Sequence, residues 1–224
     1  EINLHRFPIR LECDAARGAV ILEGEGEHII AKKRAFEIAS RTPGVDGVMD
    51  RLCVAPAERR GDGAIRSALS DALLQEPALR PCGLEVWNKG AMETLRATDD
   101  RQHVIHASVE DGIVQLTGQV PSLSHRRLAG VLAWWTPGCR DVLNGLKVTP
   151  PEADNDGEIA DALRLVLEKD PLLPHADQIG IHVHERVVTL DGAVGTREER
   201  RMAEIDAWYV MGVDQVVNHI VVRP

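Results

Sequence analysis

One six-residue block occurs three times without gaps: Ala19-Val-Ile-Leu-Glu-Gly24, Ile113-Val-Gln-Leu-Thr-Gly118 and Val187-Val-Thr-Leu-Asp-Gly192. The copies are offset by 94 and then by 74 residues. At the same offsets lie Gly44-Val45, Gly138-Cys139 and Gly212-Val213, then Val48, Val142 and Val216, then Val54, Val148 and Val222. Agreement in register over this length marks an internal repeat, so the chain must build three related units and not one irregular domain. The two glycine sets, Gly24/Gly118/Gly192 and Gly44/Gly138/Gly212, are expected to be structural.

A second block recurs at the offset of 94. Asp62–Pro77 and Asp156–Pro171 share Asp, Gly, Ile, Ala, Leu, Leu and Pro in register. Ile65, Leu69 and Leu73 are four apart, as are Ile159, Leu163 and Leu167, which is one stripe of an amphipathic helix. Asp62 and Asp156 are placed to cap the helix start, and the prolines stop it. Each full unit thus reads helix, strand, strand, helix, strand. The first strand alternates (Ile105, Ala107, Val109; Ile179, Ile181, Val183), and Glu110-Asp-Gly112 or Glu185-Arg186 turns it into the second. The second helices, expected over His28–Ser40, Leu123–Trp135 and Thr196–Val210, carry small residues four apart at Ala35/Ala39, Ala129/Ala133 and Ala203/Ala207. The last strands alternate Val48-Leu52-Val54, Val142-Leu146-Val148 and Val216-Ile220-Val222.

The expected fold is α+β: three tandem two-layer α/β sandwiches over 1–58, 59–151 and 152–224. The first copy opens directly on a strand at about 4–13 and lacks the first helix, so it was cut from a longer chain or needs a neighbour to cover its sheet. The chain begins at Glu1 without an initiator Met, and is read as processed or excised. The middle copy carries an insertion at about 82–102, read as a β-hairpin turning at Asn88-Lys89-Gly90.

Composition narrows the function classes. Among 224 residues the net charge is −9 and aromatics make up 3%. Non-specific attraction to nucleic acid is not expected, nor is stacking on single-stranded bases. No apolar run reaches the roughly 20 residues of a spanning helix.

Helix, strand, turn, V-x-L-x-G, helix and G-V-x-x-V-x-N closely resemble the BON domain, the bacterial osmotic-stress and nodulation domain. The third copy matches best, with Val188-Thr-Leu-Asp-Gly192 and Gly212-Val-Asp-Gln-Val-Val-Asn218. The second keeps Asn144 but has Cys139 in place of Val. The first has Asp50 in place of Asn. The resemblance implies a non-enzymatic module, usually of the periplasm or envelope, associated with osmotic stress and with binding phospholipid or other envelope components. The alternative is a protein–protein adaptor array. The sequence shows no catalytic set and calls for no cofactor.

Each second helix carries a basic pair at matching offsets: Lys32-Lys33, Arg126-Arg127 and Arg200-Arg201, with Arg34 and Arg197 nearby. Trp134-Trp135 and Trp208-Tyr209 lie near the helix ends. Such a face could hold an anionic headgroup, with aromatics at the interface; a solvated face with packed aromatics is the alternative. His182 and His184 share a strand face but are expected to point to solvent, giving no metal site. Gly24-Glu-Gly26 lacks the third glycine of a dinucleotide loop and is flanked by carboxylates. Cys13 and Cys53 fall on opposite sheet faces, so Cys13, Cys53, Cys82 and Cys139 are expected as free thiols, which favours a reducing compartment such as the cytoplasm. Cys13, aligned with Ile181, is expected in the core.

Overall fold

The structure, a computed structural model, describes residues 7–14, 18–99 and 102–223. The first unit comprises β1 (Ile9–Asp14), β2 (Ala19–Gly26), α1 (Ile29–Ser40) and β3 (Gly47–Val54). The second runs α2 (Asp62–Gln75), β4 (Gly83–Asn88), β5 (Ala91–Arg96), β6 (Val104–Glu110), β7 (Ile113–Val120), α3 (Leu123–Trp135), β8 (Asp141–Asn144) and β9 (Lys147–Val148). The third runs α4 (Asp156–Lys169), β10 (Ile179–His184), β11 (Val187–Val194), α5 (Arg197–Tyr209), β12 (Gln215–Asn218) and β13 (Val221–Val222).

Each sheet pairs its first two strands antiparallel and its last strand parallel to the second. The α+β sandwich is therefore built as the repeat dictates. The insertion forms the expected hairpin, β4–β5, whose turn residues Lys89 and Gly90 both have positive φ. Strand β4 then pairs parallel with β6, extending the second sheet to the order β5-β4-β6-β7-β8. Its inward side chains Leu84 and Val86 enter the core that α2 covers. Of the strand expected at about 4–13, residues 4–6 lie outside the described residues.

Two local rules explain the repeated glycines. Gly24, Gly118 and Gly192 have φ between +105° and +131°, and a Cβ there would meet the carbonyl of Pro8, Val104 or Gln178 at 2.1–2.3 Å. The preceding strand crosses too closely for any side chain. Gly44, Gly138 and Gly212 hold positive φ just past the ends of the second helices, where a left-handed residue ends a helix without steric cost.

Three sequence expectations are corrected. Asp62 and Asp156 do not cap their helices; the N-caps are Gly61 and Asn155, and Asn155 accepts from the Glu158 N–H. The aspartates instead reach across to the hairpin turns. The Asp62 carboxylate accepts from the N–H groups of Asp111 (3.0 Å) and Gly112 (2.8 Å), and Asp156 accepts from those of Glu185 (2.8 Å) and Arg186 (3.0 Å). Glu185 and Arg186 both have positive φ, so these bonds hold a turn that non-glycine residues resist.

The last strands of units two and three are not continuous. They break after Asn144 and Asn218, whose side-chain amides donate to the carbonyls of Arg126 and Arg200 while their oxygens accept from Leu146 and Ile220 N–H. Finally, Cys13 does not enter a core. It lies on the helix-facing side, opposite buried Val20, but is exposed because no helix among the described residues covers β1.

Alanine in place of Gly192 is expected to destabilise the chain by roughly 3 kcal/mol or more, from backbone strain plus the clash. Gly44→Ala has open space around its Cβ, and should cost only about 1 kcal/mol. Urea unfolding of the two variants measures the difference.

Candidate functional site

The second helices of all three units come together around one cleft, to which each contributes side chains. Lys32 of α1 is buried. Its Nζ lies 2.5 Å from the Leu52 carbonyl, 2.8 Å from Asp141 Oδ2 in the second unit and 3.4 Å from Asp50 Oδ2. Lys33 points to the third unit, donating to the Val213 carbonyl (3.1 Å) and sitting 5.4 Å above the Trp208 ring. Desolvation lowers its pKa to about 8; Asp214 opposes that shift, while Arg186 and Lys32 add to it.

Arg127 of α3 is 0% exposed. Its Nε donates to the Met211 carbonyl (2.9 Å) and its Nη2 to Asp154 (2.5 Å) in the segment leading to α4. The first and second units are also joined by Arg140–Glu25 (2.7 Å) and by the Val54 N–H to the Arg140 carbonyl (2.7 Å). The second and third are joined by Lys169–Glu76 (2.9 Å) and by the stacked rings of Trp134 and Tyr209, 5.2 Å apart. Every pair of units is in contact, so the array closes as a triangle.

This closure corrects the idea of three equivalent basic faces. Lys32 and Arg127 are internal, and Lys33 is engaged with the third unit. Arg126 is half-buried, its carbonyl taken by Asn144. Of the basic residues singled out, Arg34, Arg197, Arg200 and Arg201 are exposed, and Arg200 also reaches the Asn218 carbonyl (3.2 Å). The physical reason is the packing: α1 and α3 lie against the third unit, whereas the basic face of α5 has no unit over it. The aromatics likewise turn inward. Trp208 is buried, and Trp135 donates to Asp206 Oδ1 (2.9 Å).

Where the helices meet, a cleft of about 660 Å³ remains. Lys32, Lys33 and Phe36 from α1, Trp134 from α3, and Trp208 and Tyr209 from α5 line it. Lys32, Lys33, Trp134, Trp208 and Tyr209 are thus brought together, while Arg34, Arg126, Arg127, Trp135, Arg197, Arg200 and Arg201 are not. Chemically, the cleft offers aromatic faces and cations, Lys32, Lys33 and Arg41, set among the carboxylates of Glu37, Asp50, Asp141 and Asp214.

Sequence reasoning missed the acidic partners. Asp206 is 0% exposed and sits beside Asp170 at the junction of the second and third units. Its pKa is pushed up to about 8, mainly by burial, with the Trp135 N–H opposing the shift and Asp170 adding to it. The available signal was that Asp206 interrupts an aliphatic stripe, standing where Ile38 and Leu132 stand in the other copies.

The remaining candidates fall elsewhere. His182 pairs with Asp191 (3.0 Å) at the surface and His184 is exposed. Gly24-Glu-Gly26 is part of β2, and Glu25 is held by Arg140. The four cysteines are reduced thiols. Burial pushes the Cys139 pKa up to about 12 and raises that of Cys53, so neither is a ready thiolate. Among the described residues, no helix is long and apolar enough to cross a membrane.

Between its ordinary value of 3.8 and about 8, folded Asp206 keeps a proton that the unfolded chain has lost. Stability should therefore fall as pH rises through this window, by up to about 1.4 kcal/mol per pH unit, and level off above it. Asp206→Asn, which cannot ionise, should flatten the profile. Urea midpoints from pH 5 to 9 for the two proteins test this.

A family model described as BON domain matches residues 5–56, 92–150 and 155–224. The middle match begins inside the inserted hairpin, so α2 lies outside it although it packs on the same sheet. No curated protein matches the chain. Among solved structures, it is similar to the C-terminal domain of CdsD, described as the structural protein of the type III secretion system of Chlamydia trachomatis. Identity there is 16%, with 99% of this chain and 93% of that chain covered and a TM-score of 0.27. A second CdsD structure gives 16% identity, 99% and 88% coverage and a TM-score of 0.28. Likeness at that level carries neither fold nor function to this chain.

Proposed function

The chain belongs to the BON domain family, and from that premise we propose that it is a non-enzymatic binding and scaffolding module of the bacterial cell envelope whose ligand is a protein surface and not a phospholipid headgroup. One observation carries this reading. The cations that a lipid-facing array would need are spent inside the molecule, with Lys32 and Arg127 buried in contacts between units and Lys33 bound to the Val213 carbonyl.

The exposed remainder is Arg34 together with Arg197, Arg200 and Arg201, the last three interleaved with Glu198 and Glu199, on a chain of net charge −9. At about 1 kcal/mol per basic residue near an anionic surface, four such residues divided between two helices of an acidic chain give weak membrane affinity. Welding three units into one body suits a scaffold instead, because the relative placement of its surfaces is fixed before any partner arrives. The osmotic-stress association of the family fits a protein that holds envelope components in place.

Co-sedimentation with vesicles of phosphatidylglycerol against vesicles of phosphatidylcholine tests the choice of ligand. Equal and low sedimentation is expected. A clear preference for the anionic vesicles, lost in Arg197→Glu/Arg200→Glu/Arg201→Glu, would restore the lipid reading. Fractionation of cells making the native protein tests location: recovery with the envelope is expected, and recovery in the cytosol alone overturns that assignment.

A further inference from the structure

The inserted hairpin widens the second sheet, and it reshapes the face turned away from the helices. Leu84, Val86, Ile105, Ala107, Val114 and Leu116 belong to the core. The residues that alternate with them, among them Glu85, Trp87, His106, Ser108, Gln115 and Thr117, therefore share the opposite face. Trp87 is level with Met92 on β5, and Ser108 with Gln115 on β7. Glu85 is level with His106 on the parallel strand β6, so Trp87 and Ser108, two residues further along each strand, are level as well. One row thus runs Met92, Trp87, Ser108, Gln115 across four strands, about 14 Å at the usual strand spacing. A concavity of about 520 Å³ lies over this row, lined also by His106 and Thr117.

Two properties of the row point to a ligand. Trp87 is 48% exposed and Met92 42%, whereas Trp134 and Trp135 are half-buried and Trp208 is buried. Large apolar side chains grouped at the surface mark a contact site, unlike scattered ones. The polar groups beside them are unspent. Ser108, Gln115 and Thr117 make no side-chain hydrogen bond among the described residues. His106 is held through Nδ1 by Glu85 (3.1 Å), which also lies 3.4 Å from the Thr94 hydroxyl. The imidazole is therefore positioned, and its Nε2 has no partner among the described residues.

We propose that this face binds an uncharged glycan chain laid across the strands. The concavity falls in the range of small-ligand sites, roughly 300–1,000 Å³. Two exposed apolar side chains are too few for the apolar centre of a protein interface. No lysine or arginine lines the concavity and Glu110 stands in it, so a phosphate or other anion finds no counter-charge. A sugar ring has an apolar C–H face that lies flat on an indole, and hydroxyls at its edge that both donate and accept. Ser, Thr, Gln and His side chains offer both functions in return. The site shares no lining residue with the cleft between the helices. It goes beyond the scaffold reading and does not depend on which ligand that cleft takes.

Titration calorimetry of the intact chain with cellotetraose and with chitotetraose, both uncharged, tests this. Saturable binding of at least one is expected, weakened roughly tenfold or more by Trp87→Ala and by Gln115→Ala, and retained in Trp87→Tyr, which keeps an aromatic face. The two alanine variants sit on different strands at exposed positions, and an unchanged melting temperature in each shows that the fold is kept. Tetragalacturonate, a charged chain of the same length, should bind roughly tenfold more weakly beside Glu110. Absence of saturable binding to both uncharged sugars overturns the proposal. So does binding that either alanine variant leaves unchanged, or tetragalacturonate binding as tight as that of the uncharged sugars. Self-association of the chain that Trp87→Ala abolishes would overturn it too, by assigning the face to a second copy.

Discussion

A buried cation must find its counter-groups within the protein, and in this molecule each buried cation finds at least one of them in a different unit from its own. Arg127 has no solvent exposure; its Nε donates to the Met211 carbonyl and its Nη2 to Asp154, while its Nη1 is buried without a hydrogen-bond partner. Lys32 is satisfied by Asp141 as well as by Asp50 and Leu52 of its own unit. Parting the units would take from Arg127 its partners and from Lys32 its Asp141 carboxylate, and removing one partner of a buried pair commonly costs about 3–5 kcal/mol. Such pairs are poor sources of net stability against an apolar alternative, but they are selective. Aliphatic helix faces alone would tolerate sliding; a guanidinium fixed on a particular carbonyl does not. Packing of Ile29, Val54 and Val131 into the third unit's core supplies the attraction, and the cations supply the register.

Inside each unit a second constraint operates, between the last strand and the second helix. Asn144 and Asn218 use both ends of the amide, donating to a helix carbonyl and accepting from the strand two residues on. An aspartate has no donor for the helix carbonyl. In the first unit, where Asp50 replaces Asn, its Oδ1 still accepts from Leu52 N–H, and the other oxygen faces Lys32 at 3.4 Å. Lys32 occupies the position of Arg126 and Arg200. The departure from the family pattern is thus a substitution of ion pair for hydrogen bond, and it frees that lysine to reach the second unit.

The sequence made the intra-unit architecture legible because that architecture is written in period and repetition. Alternation in β6 and β10, the fourfold spacing of Ile65, Leu69 and Leu73, and the glycines at close strand crossings all leave local traces. The hairpin at Lys89-Gly90 did so as well. What joins the units leaves none. Half of the acceptors for the buried cations are backbone carbonyls, at Leu52, Met211 and Val213, whose availability depends on three-dimensional placement and not on side-chain identity. Asp62 and Asp156 misled for a related reason. An acidic residue at a helix start satisfies the capping pattern, yet the carboxylates found better donors in a turn about 50 and 30 residues away.

One repeated position shows why three copies of a single pattern assemble into something none of them specifies. Ile38, Leu132 and Asp206 are equivalent in sequence. Leu132 lies in the core that its own α2 lines. Asp206 keeps a proton beside Asp170 and receives the Trp135 indole of the neighbouring unit. Ile38 faces open solvent. Identical residues in all three places would either bury a carboxylate without a donor or leave the second and third units without a polar lock. Divergence at this position therefore gives each unit a distinct neighbour, and distinct neighbours are what let tandem copies close on themselves instead of stacking without end.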